Sequence, residues 1–129
     1  MSRVIAQTEI FKATPRQVYE ALMDSGKHSE FTNSAARISR EVGGEFMAYD
    51  GYITGKNLEL VPDQKIVQSW RAEDWPENQF SIIEFLFSPL PEGTQLQFTH
   101  SNLPDGTEDE FTRGWIENYW EPLRVFLEK

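Results

Sequence analysis

The segment RGWIENYWEPLRVFLEK, Arg113 to Lys129, closes the chain and carries two tryptophans, a tyrosine and a phenylalanine. At about 100° per residue, Trp115, Ile116, Tyr119, Trp120, Leu123, Phe126 and Leu127 fall within an arc of roughly 140°. Arg113, Glu117, Glu121, Arg124 and Glu128 take the opposite side. A helix patterned this way lays one wide face on an apolar surface. Pro122 has no N–H for the carbonyl of Asn118, so a bend or weakened turn is expected there.

The surface it covers is written in period two. Strands are expected near Arg37–Glu41, Glu45–Ala48, Gly51–Leu60, Lys65–Arg71, Phe80–Ser88 and Thr94–Ser101, after an opening strand at Val4–Ala13. Ile66, Gln68 and Trp70 share one side of their strand. So do Ile83, Phe85 and Phe87 of the next, with Ile82, Glu84 and Leu86 behind. Leu96, Phe98 and His100 align in the last. Between the opening strand and the others, Thr14, Pro15 and Gln17 form a capping-box start for a helix Pro15–Asp24. Gly26 is read as its break, and Lys27–Phe31 as a second short turn ending near Asn33. The order predicts an α+β domain, 1–129, in which an antiparallel sheet of about six to seven strands packs a long helix.

Composition narrows the function. The chain has 129 residues, 39% hydrophobic and 26% charged, which suits one globular domain. No cysteine is present, so disulfide, thiol and thiolate-metal chemistry is excluded. Twelve basic residues against 21 acidic give a net charge of −9, which repels phosphate backbones and anionic lipids. Neither nucleic acid nor membrane is expected as a partner. With no apolar run near 20 residues and no basic-then-apolar leader, a cytoplasmic location is expected.

Taken in order, GGEF, DGYITG, LVPDQKIVQSWR, WPE, GTQL, LP and GW…YW resemble the C-terminal domain of activators of the heat-shock protein 90 ATPase. That domain is START-like, of the birch-pollen-allergen-like superfamily, with the helix-grip fold. The likeness runs from about Glu9 to Leu127 and rests on spacing rather than on one motif. Gly43, Gly44 and Phe46 match the double glycine before a strand. Asp50, Gly51 and Gly55 match the glycine-marked long strand. Val61, Pro62, Ile66, Val67, Trp70 and Arg71 match the turn and strand that follow. Trp75, Pro76 and Glu77 match a loop, and Gly114, Trp115 and Tyr119 the start of the grip helix. The resemblance implies a sheet wrapped on the C-terminal helix, often with a cavity between them. It also implies a chaperone partner of the heat-shock protein 90 type. The eukaryotic activators carry a further N-terminal domain, so this chain alone is expected to stimulate such an ATPase little.

Two histidines are the only candidates for acid–base or metal chemistry. His28 is expected at the surface, and no carboxylate pairs with either at metal-ligand spacing, so no metal, cofactor or catalytic residue is assigned. His100, on an apolar strand face, is either a histidine bonded to backbone at the core edge or a polar group of a pocket. Ser69, Ser81 and Ser101 lack the context of an activated nucleophile. The acidic DGTEDE reads as a solvated turn, and Trp75 as semi-exposed. The expected site is an interior pocket for a small hydrophobic molecule, between sheet and helix. Gln68, Trp70, Ile83, Phe85, Phe98, His100, Trp115, Tyr119 and Leu123 would line it. The alternatives are a surface that binds a chaperone and, third, a cavity enzyme of the cyclase or hydratase kind.

Overall fold

The computed structural model describes residues 3–128. β1 (Arg3–Phe11) is followed by α1 (Pro15–Met23) and α2 (Ser25–Thr32). Then come β2 (Arg37–Ile38), β3 (Glu45–Ala48), β4 (Ile53–Val61), β5 (Lys65–Ala72), β6 (Ser81–Leu90) and β7 (Gly93–Leu103). The closing helix runs through α3 (Glu108–Trp115), a π-helical stretch at Ile116–Trp120 and α4 (Glu121–Leu127). All strands join one antiparallel sheet in the order β1-β7-β6-β5-β4-β3-β2. The sheet grips the 20-residue helix as the helix-grip fold requires.

Several boundaries move for local reasons. The capping box forms as read, with Gln17 N–H donating to Thr14 Oγ1 and the Gln17 side chain returning to the Thr14 backbone. The break between the two short helices lies at Asp24, not Gly26. Asp24 is extended (φ −89°, ψ 122°), ends α1, and caps α2 by accepting from Lys27 N–H. β2 stops at Ile38. The hairpin between β6 and β7 is tighter than read, with the two strands reaching Leu90 and Gly93. The final helix starts five residues earlier than expected, so Glu108, Asp109 and Glu110 form its first turn rather than a loop. Carboxylates there are favoured by the helix macrodipole.

The strand faces fall as the alternation predicts. Ile66, Ile83, Phe85, Leu96 and Phe98 are buried, while Leu86 behind them is exposed. Gln68 lies opposite Ile83, and Ile83 opposite His100, so one row crosses β5, β6 and β7 beneath the helix. Gly55 is required by its neighbours in the sheet: a Cβ there would sit 1.9 Å from the Ser69 carbonyl oxygen and 2.6 Å from the Phe46 ring.

Candidate functional site

Beneath the helix six of the nine expected site residues border one volume, but side chains fill nearly all of it. Trp115 packs at 4.4 Å from Phe98 and 4.6 Å from Tyr119 between ring centroids, and stacks on Trp120. The space left over is about 20 Å³, lined in part by Gln68, Trp70, Ile83, Phe85, Trp115 and Tyr119. That is room for about one water. Phe98, His100 and Leu123 are buried at 1, 0 and 0% exposure and line neither this void nor the cleft described below.

The polar atoms of this interior bond to one another. Trp115 Nε1–H donates to His100 Nδ1 at 3.0 Å. His100 Nε2, 2.7 Å from Ser81 Oγ, must then carry the proton, and it donates to the hydroxyl. Ser81 donates its own proton to the Trp70 carbonyl at 2.9 Å. This serine and histidine resemble a nucleophile with its base, yet the proton points from histidine to serine, the opposite of activation. Burial holds His100 neutral, with its pKa lowered to about 3.

His28 corrects the expectation of a surface residue. It is 6% exposed, packed between Phe31 and Tyr119. Its Nδ1 lies 3.0 Å from the Leu22 carbonyl, which can only accept, so Nδ1 is protonated. Nε2 then accepts from the Tyr119 hydroxyl at 3.1 Å. Burial lowers the histidine pKa and raises that of the tyrosine. Gln68 is likewise committed: it donates to Asn57 Oδ1, and Asn57 donates to the carbonyls of Ser39 and Glu41. Among the described residues no buried side-chain nitrogen or oxygen lacks a partner.

The large opening lies to one side. A cleft of about 500 Å³ runs between the first half of the closing helix and the turn that joins β3 to β4. Trp70, Trp115 and Tyr119 form its floor and separate it from the inner void. Tyr49, Tyr52 and Phe111 wall it, and Glu110, Arg113 and Glu117 stand at the rim. The other six expected residues do not reach it.

One wall is built under strain. Tyr49, Asp50 and Gly51 have consecutive positive φ values of 52, 59 and 93°. A bulky residue in this region is costly, of order 1–3 kcal/mol. Asp50 holds the turn by exchanging bonds with Ala35, its N–H donating to the Ala35 carbonyl while Oδ1 accepts from Ala35 N–H. The turn aims the Tyr49 hydroxyl at the Asn118 carbonyl, to which it donates. This is the carbonyl that Pro122 cannot serve. The helix accommodates the proline with a π-turn, Glu121 N–H reaching back to the Ile116 carbonyl. Burial raises the Tyr49 pKa to about 12. Pro122 was the sequence signal for a donor at Asn118, but nothing in the sequence named Tyr49.

No helix among the described residues is long and apolar enough to cross a membrane. Residues 12–128 match the family described as Activator of Hsp90 ATPase homolog 1-like protein. The mouse activator of 90 kDa heat shock protein ATPase homolog 2 is 33% identical over 121 residues, covering 94% of this chain and 37% of its own. The human homolog 1 is 29% identical over 120 residues, covering 93% and 36%. The chain thus spans little more than a third of the length of these relatives. A solved HSP90 activator from Plasmodium falciparum has a TM-score of 0.92 at 28% identity, over 97% of this chain and 96% of that one. The Aha1 dimer from Colwellia psychrerythraea has a TM-score of 0.84 at 22% identity, over 98% and 96%, a likeness of fold. The chain belongs to the family of Activator of Hsp90 ATPase homolog 1-like proteins.

Proposed function

We propose that this chain is a non-enzymatic module that binds a chaperone of the Hsp90 type through its surface, in the cytosol. The observation that carries the reading is the filled space beneath the helix, where every fully buried side-chain nitrogen and oxygen among the described residues already has a partner. A carrier of hydrophobic molecules needs an apolar cavity of several hundred Å³ with a few free polar groups. The names of the mouse, human and Plasmodium falciparum relatives supply the partner class.

The test is calorimetric titration of the chain into an Hsp90-type chaperone, with ATP turnover followed in parallel. Saturable binding is expected, with little or no change in turnover, because the chain spans little more than a third of the length of the named activators. No binding at chain concentrations up to about 100 μM would overturn the reading, because a dedicated contact of even modest affinity saturates there.

A second reading is favoured by the open cleft. Its volume of about 500 Å³ lies within the range of small-molecule sites, and Trp70, Trp115 and Tyr119 supply its floor. A small amphipathic molecule would bind there rather than in the interior. Native mass spectrometry of the freshly purified chain, with and without a soluble aromatic alcohol, decides whether such a molecule is retained.

A further inference from the structure

The cleft joins two features that no interior packing accounts for. Its walls are aromatic and its rim is acidic. Tyr52 is 40% exposed and presents its ring to solvent at the mouth. Its hydroxyl donates to Asp74 Oδ1 at 3.0 Å. Its pKa is raised by burial first, then by that bond and by the charges of Asp74, Glu110 and Glu73, which report a negative field at the mouth.

The rim sets two carboxylates against one guanidinium, and none of them is ion-paired among the described residues. Glu110 and Glu117 line the cleft from different turns of the helix, with Arg113 between them. The positive end of the helix dipole works against a bound cation, but its half charge faces three carboxylates in the first turn alone. The chain as a whole carries −9. An anion would meet this field unfavourably. A neutral apolar molecule would leave the rim unused.

We infer that the cleft docks a lysine or arginine side chain, flanked by apolar residues, on an exposed segment of a protein partner. The alkyl stem lies along the aromatic wall, the cationic head reaches Glu110 and Glu117, and the apolar neighbours cover Tyr52 and Phe111. Charge complementarity selects this occupant over an acidic or neutral segment. The cleft is then the contact point of the chaperone proposed above, and only the partner's identity rests on that reading.

The experiment has two arms, run on the full chain labelled with nitrogen-15. One titrates an acetylated, amidated tetrapeptide of alternating leucine and lysine, against the same peptide with glutamine for lysine. The other titrates the Hsp90-type chaperone. The lysine peptide should shift the amide resonances of Tyr49, Tyr52, Phe111 and Glu117, and bind about fivefold or more tightly than the glutamine peptide. The exposed double variant Glu110→Gln, Glu117→Gln should weaken both the peptide and the chaperone by about fivefold. Arg113→Gln, which removes a like charge, should strengthen both. Raising the salt to about 0.5 M should reduce the difference between variants.

Equal binding of the two peptides, shifts confined to another face, or rim variants with unchanged affinity would overturn the docking inference. If the chaperone still bound in that case, the functional reading would stand without it. If the lysine peptide bound as described and the chaperone did not, the cleft would stand and the chaperone reading would fall.

Discussion

Two aromatic regions meet at Trp70, Trp115 and Tyr119, and they differ in one respect. On the inner side of these rings every fully buried side-chain nitrogen and oxygen among the described residues has a partner within the chain. On the outer side, Glu110, Arg113 and Glu117 have no ion-pair partner among the described residues, and Tyr52 stays exposed. Both regions mix aromatic and polar residues, so composition does not separate them. What separates them is whether the hydrogen bonds close. A closed network raises stability and gives a specific core, while an open one leaves groups available to another molecule.

Substitution at the shared wall should have the largest effect. Trp115→Ala removes contacts to Phe98, Tyr119 and Trp120 and leaves His100 Nδ1 without its donor. A loss of about 3–5 kcal/mol is expected in urea melts, as for other large aromatic truncations in cores. Glu117→Gln, on the outer side, should change stability by less than about 0.5 kcal/mol. Equal and mild effects would erase the distinction between the two sides.

Acid should attack the inner side next. His28 and His100 both have folded pKa values below the ordinary 6.5 because burial disfavours their charged forms. The unfolded chain therefore takes up protons first as the pH falls. The stabilisation is complete above about 6.5 and is lost on descent, for His100 down to about 3. Within that window His100 should remove up to about 1.4 kcal/mol per pH unit, and His28 should add to the loss in the same direction. Melts at pH 7, 6 and 5 check the slope. A flat profile would mean that the rings are solvated in the folded state.

A smaller effect tests how the two sides are joined. Tyr49→Phe removes the donor that serves the Asn118 carbonyl, at a cost of about 1 kcal/mol. Pro122→Ala restores a helix N–H that competes for that carbonyl. In its background the Tyr49→Phe cost should shrink by about half a kcal/mol or more. Full additivity would show that the hydroxyl and the proline are unconnected.

The sheet, the first short helix and the burying face of the final helix were readable because each rests on a period, 2.0 or 3.6, that survives in the sequence. Capping chemistry was readable at Thr14 for the same local reason. Closure of the interior was not. Gln68, His100 and Tyr119 look alike as pocket groups until their partners Asn57, Ser81 and His28 are seen, and these lie 11, 19 and 91 residues away. His28 was misplaced because only His28, Phe31 and Thr32 of α2 are buried, too few positions to write a face. The cleft is not legible in the sequence because Tyr49 reaches it only through three left-handed residues, and Glu110 only because the helix starts early.

The closed interior is tested most directly by hydrogen exchange at the indole Nε1–H of Trp115, which is bonded to His100 behind the wall. The indole should exchange only when the whole domain unfolds, so its free energy of exchange should equal that of unfolding from urea melts. Exchange more than about tenfold faster than global unfolding allows, at a pH where the chain is fully folded, would show that the wall opens to solvent. The space beneath the helix would then be accessible to a ligand, and the interior would not be closed.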